Sequence, residues 1–408
     1  MKNIVLIIFL FVFVAAHAQS LEDYLKMAEA NNPGLKAKYA EFEAALQVIP
    51  QVQSLQDPTF SVSAFGLMIE TRVGPQRAIF ILNQMFPWFG TLKAQGDVAA
   101  LQAETKFYKW LNARNEIHYQ VKEKYYQLFE LNRTIGLKEE NIEILDTYKS
   151  LTTTQYINDK AKLVDAVRLD IQIQDLETEI NVLQQKVKPF EAQFNQLINR
   201  DLQAGVPITD SLSLIDFETE YLEDSILANH PELAGINLMQ QAWEGKKLVA
   251  QKQGMPKLGV GLNYTIIGER TDMDVPDNGK DAIMPMVSVS IPIFRKKYNS
   301  AIKEAEWMQN SLIESEKEIS NRLLLDFEMA KYEKDRALEE YKLFEAQIKR
   351  TQQAIRLLLS EYSNSGSDFE EILRMQEQLL KYEIAKVISL KNYNTAIAQI
   401  EFLSDKKL

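Results

Sequence analysis

The sequence predicts a mostly α-helical protein with a small β part, written as two copies of one unit: helix, β-hairpin, long helix, turn, long helix. Three observations carry this. Asn31-Asn32-Pro33-Gly34-Leu35 and Asn229-His230-Pro231-Glu232-Leu233 stand at an offset of 198, and Pro58 to Ser63 meets Pro256 to Gly261 at the same offset. After each hairpin runs a stretch of about 60 residues rich in helix formers, far beyond a typical globular helix. Between the helical stretches lie short period-two segments, Phe60-Ser61-Val62-Ser63-Ala64 and Leu258 to Ile266. Such a copy cannot close a structure alone.

The chain has 408 residues, no Cys, three His and a net charge of −11. Residues 1–18 read as an export signal: Lys2, an apolar core from Ile4 to Val14, and Ala16-His17-Ala18 as an A-x-A site. Cleavage is expected between Ala18 and Gln19; residue 19 is not Cys, which excludes a bacterial lipid anchor there. An exported chain without Cys has no disulfides, so packing or assembly must stabilise it. With only His118 and His230 after the signal, a Cys/His zinc site or a His-based catalytic pair is not expected. No cofactor is expected, and no G-x-x-x-x-G-K-[ST] nucleotide loop occurs. The acidic charge argues against a nucleic-acid partner. No later segment reaches the roughly 20 apolar residues of a membrane helix, so a membrane crossing would need strands.

The first copy covers 19–205. Residues 21–56 read as helix, broken and restarted at Asn31-Asn32-Pro33. A hairpin over about 59–86 follows, with strands at 59–65 and 77–86 and a turn from Gly66 to Gln76. A helical hairpin spans about 91–199, with its turn at Thr152 to Lys160. Its return arm carries Leu169, Ile173, Leu176, Ile180, Leu183, Val187, Phe190, Phe194 and Leu197 at alternating spacings of four and three, a heptad seam. Pro189 inside that arm predicts a kink or a helix junction. Residues 206–221 form the link between copies.

The second copy, 222–408, repeats the plan: a helix to about 253, a hairpin over 257–293, and a helical hairpin over 297–403 with its turn at Ser363 to Ser367. Strands are expected over 257–266 and 287–293, around a polar loop from Gly268 to Lys280. Pro87-Trp88-Phe89 answers Pro292-Ile293-Phe294 at offset 205, so the second hairpin loop is seven residues longer.

Two hairpins supply four strands, each with one apolar and one small or polar face, as in membrane barrels. In lipid every backbone group must be paired, and four strands cannot close. The barrel must be shared between chains, and three chains would give about twelve strands, within the range of known barrels. The competing readings are a small soluble sheet packed on helices and a fibrous coiled coil. The export signal and the period-two faces oppose the first, and the duplicated hairpins oppose the second.

The paired Asn-x-Pro-x-Leu segments, the Pro before each first strand (Pro58, Pro256), the Pro-x-Phe after each hairpin and the tip segments Tyr156–Arg168 and Tyr362–Arg374 occur in one order, twice. In this the chain resembles the TolC-type outer-membrane efflux factors over almost all of its mature length. The resemblance implies a homotrimer: a twelve-stranded β-barrel in the outer membrane that continues into a periplasmic α-helical barrel. It implies docking to a periplasmic adaptor protein and an inner-membrane efflux pump, and passive conduction of the pumped solute. The chain departs from the pattern at the first tip, where Lys160 stands opposite Gly366 and the family usually has Gly.

Candidate residues follow. Asp159, Asp165, Asp368, Glu370 and Glu371 lie at the tips and are candidates for a charged periplasmic aperture; equally they are helix-start carboxylates favoured by the helix dipole. Leu163, Val164, Val167, Arg168, Phe369, Ile372 and Arg374 are candidates for adaptor docking or for packing within the tip. Phe86, Trp88, Phe89, Phe294 and Tyr298 are candidate membrane-interface anchors. Met273, Met284 and Met286, unaccompanied by His or Cys, read as strand and loop residues rather than metal ligands. The alternatives without channel activity are a structural coiled-coil envelope protein and a periplasmic adaptor, which would carry one helical hairpin between β-domains. An exported enzyme is disfavoured because no carboxylate pairs with a glycine-rich or His-bearing site.

Overall fold

The computed structural model describes residues 20–208, 212–215, 222–365 and 369–404; Ala18, Gln19 and Asp368 lie outside this set. In chain order the elements are α1 (Leu21–Asn31), α2 (Pro33–Leu46), α3 (Val48–Gln53), β1 (Thr59–Thr71), β2 (Gly74–Phe86), α4 (Thr91–Ile157) and α5 (Leu163–Leu197) in the first copy. The second has α6 (Leu222–Asn229), α7 (Pro231–Gln253), β3 (Lys257–Ile267), β4 (Ala282–Ser290), α8 (Lys296–Ser365) and α9 (Phe369–Ser404). The duplicated order is therefore present. With 67 and 70 residues, α4 and α8 each rise about 100 Å.

Local chemistry explains the boundaries. A reciprocal capping box starts α1: Ser20 Oγ accepts from Asp23 N at 3.3 Å, and the Asp23 carboxylate accepts from Ser20 N at 3.1 Å. The two Asn-x-Pro-x-Leu segments do the same work with different atoms. Asn32 Oδ1 accepts from Leu35 N at 3.1 Å, and His230 Nδ1 accepts from Glu232 N at 3.2 Å, each ahead of a helix that opens on Pro.

Several expected boundaries differ, among them the second tip turn expected over 363–367, where α8 runs on to Ser365. The turn expected over 66–76 is mostly strand, and only Arg72 and Val73 connect β1 to β2. A bulge between Ala64 and Ile69 absorbs the irregular pattern there, and Gly74 takes φ 128°, where a Cβ would strike Gly268 O. Helix α4 runs to Ile157 through residues expected to turn. The hydroxyls of Thr152, Thr153 and Thr154 bond back to the carbonyls of Tyr148, Lys149 and Ser150 at 2.6, 2.8 and 2.9 Å, so these polar groups find partners within the helix. No junction forms at Pro189: α5 is continuous, and the Pro lies on an exposed face where water can satisfy the carbonyl it frees. Strand β4 begins at Ala282 and ends at Ser290, leaving Ile291 to Ile293 outside. Within one chain it pairs only with β3, and Pro285 stands opposite Leu262.

The chain divides into two compact units. One comprises residues up to Leu35, Arg114–Glu223 and Leu325–Leu408; the other comprises Lys36–Ala113 and Asp224–Leu324. The first unit is helical. Its core joins Tyr24 and Ala28 of α1, Val121 and Tyr125 of α4, Phe194 of α5 and Ala398 of α9, with the Tyr24 ring edge-on to Phe194 at 4.9 Å. The heptad seam of α5 is seated as expected: Leu169, Ile180 and Phe194 are buried, and Ile173, Leu176, Leu183, Val187, Phe190 and Leu197 pack against the same clusters. Lys122–Glu401, Lys138–Glu179 and Lys386–Glu345 tie α4 to α9, α4 to α5 and α8 to α9. The second unit holds the sheet, of order β1-β2-β3-β4 and antiparallel throughout, so β2 and β3 join the two copies.

Candidate functional site

The sheet largely separates its residues by face at the ladder pairs; Gln84 on the apolar face, and Ile79 and Ile81 on the opposite one, are the exceptions. Phe60 faces Leu82, which faces Leu262; Val62 faces Phe80, which faces Tyr264, which faces Ile283; Val260 faces Val287 and Leu258 faces Val289. The opposite face presents Thr59 and Ser61, Asn83 and Met85, Gly259, Gly261 and Asn263, and Met284, Met286 and Ser288. The apolar face is not covered by the chain: Phe60 is 65% exposed and Val287 is 77% exposed. An aromatic row crosses three strands, Phe60–Phe80 and Phe80–Tyr264, each with centroids 6.3 Å apart. Glycines 259 and 261 suit the polar face, where a Cβ on Gly259 would stand 2.5 Å from Met85 Sδ. Among the described residues no helix is long and apolar enough to cross a membrane.

The anchor candidates sit where strands give way to helices. Phe86 closes the β2–β3 ladder opposite Leu258. Phe89 and Phe294 are largely exposed, while Trp88, edge-on to Phe89 at 5.8 Å, and Tyr298 are half-buried.

The first helical tip turns on Asp159, which takes φ 61°. The left-handed residue is Asp159 rather than Lys160, and Asp tolerates that conformation because its short polar side chain bonds locally. Lys160 N donates to Gln155 O at 2.9 Å and closes α4. Beneath the tips, Leu145, Tyr148, Leu169, Tyr362, Phe369, Ile372 and Leu373 form one buried cluster. The Tyr362 and Phe369 rings stand 5.0 Å apart. Next to it a polar layer crosses from α4 to α9: Gln376 Nε2 donates to Asn141 Oδ1 at 2.7 Å, and Tyr148 OH donates to Gln376 Oε1 at 3.5 Å.

The tip candidates therefore divide. Phe369 is 2% exposed and Ile372 0%, so both are core residues of the protomer and offer no surface to a partner. Leu163, Val164 and Val167 are about half exposed on the first turns of α5. Arg168 pairs with Glu370 at 2.7 Å, linking α5 to α9, and Arg374 pairs with Glu371 at 2.6 Å within α9. Asp165 is mostly covered and stands 3.9 Å from Arg168; burial, with Asp165 near, pushes the Tyr362 phenol up. Asp159 is exposed. The polar layer of Asn141 and Gln376 was not anticipated, since isolated amides in a helical pattern look like solvent-facing residues. A cluster of lysines at the ends of the strands was also missed.

No protein-family model matches the sequence, and no curated protein matches it. Solved structures do. The outer membrane protein VceC of Vibrio cholerae is similar with a TM-score of 0.74 at 15% identity, over 94% of this chain and 95% of that one. CusC, studied for the conformational changes that accompany folding and transmembrane channel formation, is similar with a TM-score of 0.77 at 12% identity, over 94% and 91%. The open state of the MtrE outer membrane channel of Neisseria gonorrhoeae is similar with a TM-score of 0.73 at 13% identity, over 95% and 89%. The chain has the fold of these outer-membrane channels.

Proposed function

We propose that this protein is the outer-membrane channel-tunnel of a tripartite efflux system, a homotrimer that passively conducts solute delivered by an inner-membrane pump through a periplasmic adaptor. The observation that carries this is the sheet with an uncovered apolar face and a polar opposite face, in a chain with the channel fold. Strands of 9 to 13 residues match the roughly 9–11 that a tilted strand needs to cross a bilayer. Both edges, β1 and β4, need partners in lipid, and neighbouring chains supply them. The polar face becomes the wall of the lumen.

On this reading Phe86, Phe89 and Phe294 ring the periplasmic interface of the membrane, while half-buried Trp88 and Tyr298 pack at the junction of strands and helices. Leu163, Val164 and Val167 form the adaptor-facing surface, and Asp159 with the tip carboxylates forms the aperture. Residues 1–18 are the removed export signal.

Reconstitution of the full chain in planar lipid bilayers tests the function. Stepwise ohmic conductance without added energy is expected, and Asp159→Ala should alter cation block from the periplasmic side. A purified, folded protein that never conducts would sink the proposal.

A further inference from the structure

A cleft of about 420 Å³ lies where the ends of α3 and α7 and the starts of α4 and α8 meet strands β2 and β3. Lys252, Lys257 and Lys297 line it together with Gln51, Gln95 and Trp88, and no carboxylate lines it. That is unusual in a chain with a net charge of −11. Elsewhere in the same unit several lysines stand against carboxylates, among them Lys93–Asp97 at 2.8 Å, Lys106–Glu41 at 2.7 Å, Lys247–Glu306 at 3.2 Å and Lys317–Glu314 at 2.8 Å.

Two of the cleft lysines are held by neutral groups. Lys252 Nζ donates to Phe89 O at 3.3 Å, and left-handed Gly90 makes room for it, since a Cβ there would stand 3.1 Å from Nζ. Lys297 Nζ lies 4.7 Å from the Tyr298 ring centroid. These contacts place the ammonium groups without neutralising them. The strand residues of the cleft belong to the polar face: Lys257 pairs with Ser290 and Met85 with Gly259. The charge is also not a by-product of duplication, for at offsets 198 and 205 the first copy has Ser54, Thr59 and Leu92 in the corresponding places.

A concave wall of one charge sign focuses the field and concentrates counter-ions, and lysine rings select anions in pores. We propose that this cleft binds the phosphate or carboxylate group of an anionic solute passing along the polar face. The word "passing" rests on the channel reading; the binding does not. Three chains would place nine such lysines around one level of the lumen.

Inorganic tripolyphosphate is the probe. The full chain in planar bilayers should be blocked by it, and K252Q/K257Q/K297Q should conduct but need at least tenfold more for half block. A control with the same charge loss at paired sites, K93Q/K106Q/K317Q, should be blocked like the original. Calorimetry in detergent gives a readout free of conductance: binding by the original chain and at least tenfold weaker binding by the triple cleft variant. A chain that conducts yet neither binds nor is blocked by tripolyphosphate overturns the site and leaves the channel standing. A chain that binds it but never conducts keeps the site and sinks the channel. Equal binding by the cleft variant, or binding of phosphatidylglycerol alone, overturns the site.

Discussion

The sheet and the helical tip use large apolar side chains in opposite ways. At the tip, Phe369, Tyr362 and Ile372 are enclosed by the protomer's own helices. On the sheet, Phe60, Val62, Val287 and Val289 meet only cross-strand neighbours and stay more than half exposed. Apolar area removed from water stabilises by roughly 25 cal/mol per Å², and the tip collects this term within one chain. The sheet collects much less of it in water. On the channel reading proposed above, the difference teaches that one sequence is written for two solvents, with the sheet's stability belonging to the lipid and to neighbouring chains.

Substitutions separate the two regions, from the largest effect down. Phe369→Ala should cost about 3–5 kcal/mol, as emptied aromatic sites do, and lower the urea midpoint of the helical circular-dichroism signal. Phe60→Ala should leave that midpoint in place, and a matching loss would break the contrast. Val287→Arg should cost about 2–4 kcal/mol of folding into lipid if the residue lies near the midplane, and reduce the yield of heat-stable oligomer in vesicles. Ser288→Arg, one residue on and facing the other way, should insert normally. Gln376→Leu leaves buried Asn141 without its partner and should cost about 1–3 kcal/mol by the same urea assay.

The smallest effects are electrostatic. Burial and the nearby Glu140 raise the Glu383 carboxyl above the ordinary range, with Arg133 opposing them. A raised carboxyl takes up a proton more readily in the folded state, so its charge is a penalty at neutral pH that fades as pH falls through the raised value. Glu383→Gln should therefore be more stable at neutral pH by about 1 kcal/mol or less, given the group's partial exposure. The melting-temperature gap between the two proteins should close on acidification, and a gap that widens would contradict this. Arg168→Ala removes an exposed ion pair and should cost under about 1 kcal/mol.

Much of this architecture was legible in the residues. The offset of 198 located both helix breaks, and their caps turned out to be side chains of different chemistry, Asn32 and His230, doing one job. The period-two pattern of Leu258 to Tyr264 set the faces correctly, because a strand alternates whatever surrounds it. The alternation of fours and threes from Leu169 to Leu197 placed the α5 seam for the same reason of geometry. Boundaries were less legible. Thr152 to Thr154 look like a turn in sequence, yet α4 runs through them and their hydroxyls bond to its carbonyls. The tip set was split by burial, which the spacing of Phe369 and Ile372 does not distinguish from a docking surface. The lysine cleft draws Lys252, Lys257 and Lys297 from three elements, so no local window reveals it. Comparing the two copies position by position would have flagged it, since neutral residues stand at all three places in the first.

The central claim is that β1 of one chain meets β4 of another in a ring of three. The chain has no Cys, so introduced thiols report without background. Within one chain β1 and β4 are three strand spacings apart, about 14 Å, and a disulfide needs Cα atoms within about 7 Å. Ser61→Cys on β1 can be combined in turn with Cys at Met284, Met286, Ser288 and Ser290, all on the same face of β4. The expected result is that at least one combination oxidises in membranes to a covalent trimer and goes no further. Open-ended ladders of higher order, or chains that stay monomeric in every combination, would contradict the closed, shared barrel.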